Sequence, residues 1–191
     1  MELNEIKQNF LNKIKNSEFS ENIIVFGEGN KNAKLFIIGE APGGDEEKQQ
    51  RPFVGKAGKN LDEFLSVLEL NREDIFITNV VKLRPVKINE ETKRKSNRPP
   101  NKTEIEFFSP FLFDEIEMVN PKIIITLGNV PLKTVLKDNK ITIGSVHGTV
   151  VEKDGRKYFP LYHPASIIYN RSLKYTYNED LYKLKEILKS L

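Results

Sequence analysis

The sequence contains no cysteine, and that absence removes disulfide bonds, thiolate metal sites and thiol nucleophiles together. Histidine is nearly as scarce: with only His147 and His163, a histidine-rich metal centre is not expected either. Any chemistry therefore runs on carboxylate, amide and imidazole groups. Missing too is a run of roughly 18 apolar residues of the kind that spans a bilayer. The opening stretch MELNEIKQNF has no signal-peptide core, so the expectation is a cytoplasmic protein without membrane contact. No internal repeat is visible. What is present is 191 residues, 38% hydrophobic and 30% charged, which suits one domain over residues 1–191 with a sizeable core.

The chain is organised around Gly39–Gly58, GEAPGGDEEKQQRPFVGKAG, a loop dense in glycine and acid between an apolar run and a helical pattern. Leu35–Ile38 reads as a buried strand, so Glu40 emerges just past a carboxyl end, where open α/β sheets bind ligands. Upstream, Leu3, Ile6, Phe10, Leu11 and Ile14 recur at helical spacing, and Ile23–Phe26 is a short strand candidate. Downstream, Leu61, Phe64, Leu65 and Leu68 predict a helix starting near Ala57 or Gly58, its amino end facing the loop. Ile75–Val81 is β-rich and places Asn79 in or near the end of a strand.

Residues 82–102 change character. Lys82, Arg84, Lys87, Lys93, Arg94, Lys95, Arg98 and Lys102 stand against only Glu90 and Glu91, a net +6 in a chain whose total is +3. Such a concentration reads either as a phosphate-contacting loop or as a solvated linker. Thr103 and Glu106 form a capping-box pattern ahead of a helical face at Ile105, Phe108, Leu112, Ile116 and Val119. Lys122–Leu127 is another buried strand, followed by Gly128 and Asn129, with Pro131 opening a helix. Val146–Val151 and Lys157–Pro160 flank the hairpin signal Asp154-Gly155, and the second arm runs into His163. Leu181, Leu184, Leu188 and Leu191 close the chain with a last helix. Apolar strands alternating with helices predict a mainly parallel sheet covered on both faces.

Taken singly, the polar candidates are ambiguous. Asn79 reads equally as a turn or cap, Phe53 as one of twelve mostly core phenylalanines, and His163 as an ordinary His-Pro turn. The longer pattern is not ambiguous. GEAPG, the acidic pair Glu46 and Glu47, and PFVGKAG resemble the first active-site motif of the family 4 uracil-DNA glycosylases. ITNVVKLRP (Ile77–Pro85) and YHPAS (Tyr162–Ser166) resemble later motifs in the right order. With FGEGN (Phe26–Asn30) and NRPP (Asn97–Pro100), the resemblance covers nearly the whole chain.

The resemblance implies a three-layer α/β/α fold on which Glu40, Asn79 and His163 converge from different strand ends. It implies a monomeric, monofunctional enzyme that flips uracil out of DNA, excises it and leaves an abasic site. Phe53 would stack on the extruded ring, and the Asn79 amide would pair with uracil N3–H and O4. Gly39 and Ala41 would line the base site with backbone amides, His163 would stabilise charge at O2, and Glu40 would position water. DNA contacts would come from Lys82, Arg84, Arg98, Gly128, Asn129, Ala165, Ser166 and Ile167. Ile167 and Ile168 read as a minor-groove wedge or as the start of a core helix. The loop excluding thymine's methyl group would lie in Gly43–Glu47, and His147, outside the matching motifs, reads as a turn or DNA-proximal residue. Alternatives are a protein on this fold that recognises damage without cutting, and a glycosylase preferring hypoxanthine or another deaminated base.

One feature departs from the family. Its members typically hold a [4Fe–4S] cluster on four cysteines. Here Leu83 and Phe108 stand at two of those positions, and the segment for the cysteine pair, around Lys15–Phe19, is shortened. No cofactor is expected, and apolar packing by Leu83 and Phe108 is expected to replace the cluster as the tie between the basic loop and the helices.

Overall fold

The computed structural model describes residues 3–170 and 172–190, with backbone alone for 167–169. In chain order the elements are α1 (Leu3–Ile14), β1 (Glu28–Gly29), β2 (Leu35–Gly39), α2 (Gly44–Gln49), α3 (Lys56–Val67), β3 (Ile75–Asn79), β4 (Val86–Ile88), β5 (Lys95–Asn97), α4 (Lys102–Val119), β6 (Ile123–Leu127), α5 (Asn129–Leu136), α6 (Ile143–Val146), β7 (Val151–Lys153), β8 (Arg156–Leu161), α7 (Pro164–Tyr169) and α8 (Leu173–Lys189). Six strands make one sheet in the order β1-β3-β2-β6-β8-β7, and β4 and β5 pair separately. The four inner strands are parallel, and the edges β1 and β7 are antiparallel to their neighbours.

Alternation along the strands explains the layering. Phe36 and Ile38 of β2 and Phe76 of β3 face a core shared with α1, α4 and α5. Their neighbours Leu35, Ile37, Ile75 and Ile77 face the opposite core, shared with α3 and α8. β2, β3 and β6 are buried along their whole length, as expected of parallel strands covered on both sides. The result is the expected α/β/α arrangement. After the edge strand β1, the parallel part of the sheet begins at β2, adds β3 on one side and then crosses to β6 on the other. β2 and β6 therefore border a topological switch point, the place where ligands enter open α/β sheets.

Three expectations about elements are corrected. Ile23–Phe26 is not a strand: the sheet edge is Glu28–Gly29, and Phe26 packs edge-on to Phe10 and Phe111 instead. The cap of α4 is Asn101 with Glu104, not Thr103 with Glu106; the Asn101 side chain accepts from Glu104 N at 2.8 Å, and Glu104 Oε2 accepts from Asn101 N at 2.7 Å. The extended proline pair Pro99-Pro100 brings the chain straight to Asn101, so the helix starts earlier than expected. Residues 146–150 are the end of α6 and a turn rather than a strand, because Gly148 (φ +64) lies against Asp180 with no room for a Cβ. The true hairpin is β7–β8, turned by Asp154 (φ 51) and Gly155 (φ 74), as two positive-φ residues allow. For Ile167 and Ile168, read from the sequence as a wedge or as the start of a helix, the backbone is helical: they lie in α7, started by Pro164 at its first turn. Leu191, expected in the last helix, lies outside the described residues.

Candidate functional site

β2 delivers Glu40 to the carboxyl edge of the sheet. Pairing with the β3 chain runs one step past the strands: Val80 N donates to Gly39 O (2.9 Å) and Val81 N to Glu40 O (3.1 Å), which pins the Glu40 backbone. Beside it opens a cavity of about 440 Å³ lined by Glu40, Ala41, Phe53, Asn79, Arg98, His163 and Ala165, among others. Glu40, Phe53, Asn79 and His163 are thus brought to one wall system from β2, the following loop, β3 and β8. Gly39 sits behind them, and a Cβ there would overlap Asn79 Oδ1 and the tip of the Phe53 ring. Only a residue without a side chain leaves both groups in place. Burial raises the pKa of the Glu40 carboxyl above its ordinary value, with no neighbouring charge contributing.

Phe53 is 4% exposed and holds φ at 53°, a left-handed conformation that a bulky residue adopts only when its surroundings impose it. The surroundings here are Arg72 and Gly58. Arg72 Nη2 donates to Phe53 O at 2.6 Å while its Nε donates to Asp62 Oδ1 at 2.7 Å. A Cβ on Gly58 would overlap the same Phe53 carbonyl. Held this way, the Phe53 ring lies face to face with His163, 6.2 Å between centroids and 27° between planes.

His163 caps α7: its Nδ1 accepts from Ala165 N at 3.1 Å. The neutral ring must then carry its proton on Nε2, so the free nitrogen is a hydrogen-bond donor. Burial pushes the imidazole down to about 4, partly offset by the Glu46 carboxylate. The unfolded chain takes up this proton below about 6.5. The folded chain does so only near 4, so the contribution of His163 to stability is full above 6.5 and declines as pH falls toward 4. Imidazole NMR is expected to show one histidine with a midpoint near 4; a His163 midpoint at 6.5 would mean that the ring is solvated and the cap is not formed.

Glu46 is a site residue that motif reading left without a role. It lies in α2, is 8% exposed, and accepts from three backbone amides: Gly43 N (3.0 Å), Val54 N (3.0 Å) and Gly55 N (2.7 Å). One carboxylate therefore staples both ends of the loop that carries Phe53. A glycine three residues before an acid at a helix start was a readable local signal. Arg72, far from the motif, offered none.

The basic segment is an ordered hairpin, β4–β5, rather than a linker, with Lys87, Lys93, Arg94 and Lys95 exposed. Arg84 and Arg98 form its base. Arg84 bonds Asn97 Oδ1 (2.8 Å) and Glu47 (3.2 Å). Arg98 grips both oxygens of Glu104 at 2.8 and 2.6 Å and also bonds Val86 O and Pro99 O, so its fork braces the hairpin on α4. Lys82, expected on DNA, is fully buried and ion-paired with Glu115 at 2.7 Å. It cannot reach a phosphate, because flanking Val81 and Leu83 anchor it in the core. Gly128 (φ +91) turns β6 into α5 beside His163. Asn129 is exposed, with its side-chain carbonyl accepting from Ile143 N at 2.8 Å. Ala165 and Ser166 are half-buried in α7; the side chains of Ile167 and Ile168 lie outside the described residues.

The region that resembles a cluster site does not fit one. Leu83 and Phe108 are 3% and 0% exposed and lie in one apolar core cluster with Phe10, Phe19 and Phe111. Phe108 is 5.5 Å from both Phe10 and Phe19 and 5.2 Å from the partly buried Phe107, ring centre to ring centre. Thiolate ligands are absent, and hydrocarbon fills the space.

The profile of the Uracil DNA glycosylase superfamily matches residues 26–185. A type-4 uracil-DNA glycosylase of Saccharolobus solfataricus is 40% identical over 186 residues, covering 93% of this chain and 82% of the relative. The enzymes of the same name from Sulfurisphaera tokodaii and Thermotoga maritima are 36% and 37% identical, covering 97% and 87% of this chain and 84% and 83% of the relatives. The matched profile and the identity over most of the chain show that the chain belongs to the uracil DNA glycosylase superfamily.

Proposed function

We propose that the chain is a monofunctional DNA glycosylase that draws uracil out of the stack and hydrolyses its bond to the sugar, leaving an abasic site. The observation that carries this reading is the single cavity on which Glu40, Phe53, Asn79 and His163 converge. A base entering it stacks on Phe53, held in place before any ligand arrives. The Asn79 amide offers a carbonyl to N3–H and an amine to O4, the reverse of what cytosine, with an acceptor at N3 and a donor at N4, would need. As the base leaves, negative charge gathers at O2, where the Nε2–H of a neutral His163 stabilises it without giving up its proton. Glu40 orients the water that attacks the sugar carbon, takes its proton, and offsets the positive charge on the ring. Strand cleavage by an amine nucleophile is not part of this reading: among the described residues Lys56 lines the cavity as the first residue of α3, and Lys82 is buried and ion-paired with Glu115.

Purified protein without added metal is expected to release free uracil from an oligonucleotide containing one uracil and to leave an alkali-labile site. Salt is varied, because phosphate contacts weaken steeply with ionic strength. Tight binding with no alkali-labile site at any salt would replace the enzyme reading by damage recognition alone. A parallel substrate with hypoxanthine, whose N1–H and O6 present the same donor and acceptor order, measures the base range.

A further inference from the structure

Lys82 and Glu115 are a charged pair with both side chains 0% exposed, and the chemistry above uses neither. Lys82 Nζ donates to Glu115 Oε2 (2.7 Å), to Thr78 Oγ1 and to the main-chain carbonyl of Asn79 (2.6 Å). Thr78 Oγ1 in turn donates to Glu115 Oε2 at 2.9 Å. The ammonium lies 5.3 Å from the centre of the Phe111 ring. Gly27 closes the pocket: a Cβ there would come within 2.8 Å of Glu115 Oε1, Phe76 and Thr78.

A buried ion pair is a poor way to gain stability, since removing two charges from water costs about what their attraction returns. Here desolvation works against the Lys82 charge, and Glu115 Oε1 has no hydrogen-bond partner. What the pair supplies is location. β1 pairs with β3 only as far as Ile77, so the last two residues of β3 have no strand on that side. Lys82 provides hydrogen bonds at both of them.

We propose that the buried Lys82–Glu115 pair is a positioning device for Asn79. By gripping the Asn79 carbonyl and the Thr78 hydroxyl, it fixes the rotation of the strand's last residue and so the direction in which the amide meets a base. The pair touches no substrate and acts through Asn79. The inference rests on the reading of Asn79 as the base-reading group.

The test uses the double variant Lys82→Met/Glu115→Leu, which replaces both charges by hydrocarbon of similar size. Melting temperature is measured together with affinity for oligonucleotides carrying one 2′-fluoro-2′-deoxyuridine or one 2′-fluoro-2′-deoxycytidine, sugars that resist cleavage. The double variant is expected to melt at or above the wild-type temperature and to bind undamaged DNA normally. Its preference for uracil over cytosine is expected to shrink by about tenfold or more, the size of one good bidentate contact. A folded variant that keeps the wild-type preference overturns the proposal alone. A wild type with no preference overturns the functional reading, and this proposal with it. If the double variant does not fold, Thr78→Val, which removes only the shared hydroxyl, is expected to narrow the preference severalfold, and an unchanged ratio there likewise overturns the proposal.

Discussion

Replacing Glu40 by glutamine is expected to slow uracil release by about 10²- to 10⁴-fold, the usual share of a positioned acid or base. Affinity for uracil-containing DNA is expected to stay within about threefold of wild type, because the loss falls on the transition state. The reason is geometric. Glutamine keeps the shape of the cavity wall, and the backbone of residue 40 stays pinned by Val81 N. It cannot accept a proton from water, and it carries no charge to set against the sugar cation. Because burial raises the Glu40 pKa, excision by the wild type should fall as pH drops through a value above the ordinary carboxylate range. That limb should vanish in the variant. Single-turnover rates across pH, paired with fluorescence anisotropy for binding, measure both. A variant with the wild-type rate would remove the carboxylate from the chemistry.

Phe108→Ala is expected to cost about 3–5 kcal/mol, the loss for a large buried aromatic plus the cavity it leaves. In a chain of this size that lowers the melting temperature by about 10 °C. Leu83→Ala is expected to cost about 2–5 kcal/mol. Both should raise hydrogen exchange in β4 and β5, because Leu83 leads into the hairpin and Phe108 lies on the helix whose Glu104 holds Arg98. The wild type is expected to be colourless and free of iron. If neither variant changes stability, aromatic packing is not what ties the hairpin to the helices.

The sheet could be read from the sequence because its strands are short apolar runs punctuated by glycine, and period-2 alternation then decides the two cores. Glu40, Asn79, Phe53 and His163 were reached through motif order, which composition alone would not have separated from caps and core. Burial of charge was harder to read. In VVKLRP, Lys82 counts as one more cation in a basic segment, yet valine and leucine on either side of it were the signal that this lysine faces inward. The cap of α4 shows another limit: Asn101–Glu104 and Thr103–Glu106 both satisfy a capping box, and only the rigid approach of two prolines decides between them. The hairpin was hidden by its charge. Its turn is made by Asn89, whose Oδ1 accepts from Glu91 N and Thr92 N at 3.1 and 2.8 Å, an Asx turn that a lysine-rich composition obscures.

The phenylalanine cluster around Phe108 also changes what the protein needs in order to mature. An iron–sulfur site must be loaded after synthesis, and it can be lost to oxidants or chelators. A junction of packed rings, with Phe10, Phe19, Phe107 and Phe108 meeting at 4.8 to 6.2 Å, is made of the chain's own side chains and is expected to form as α1 and α4 pack together. Refolding from denaturant should therefore depend on the polypeptide alone. Its yield should be indifferent to peroxide exposure of the unfolded chain at thiols, because there are none to oxidise.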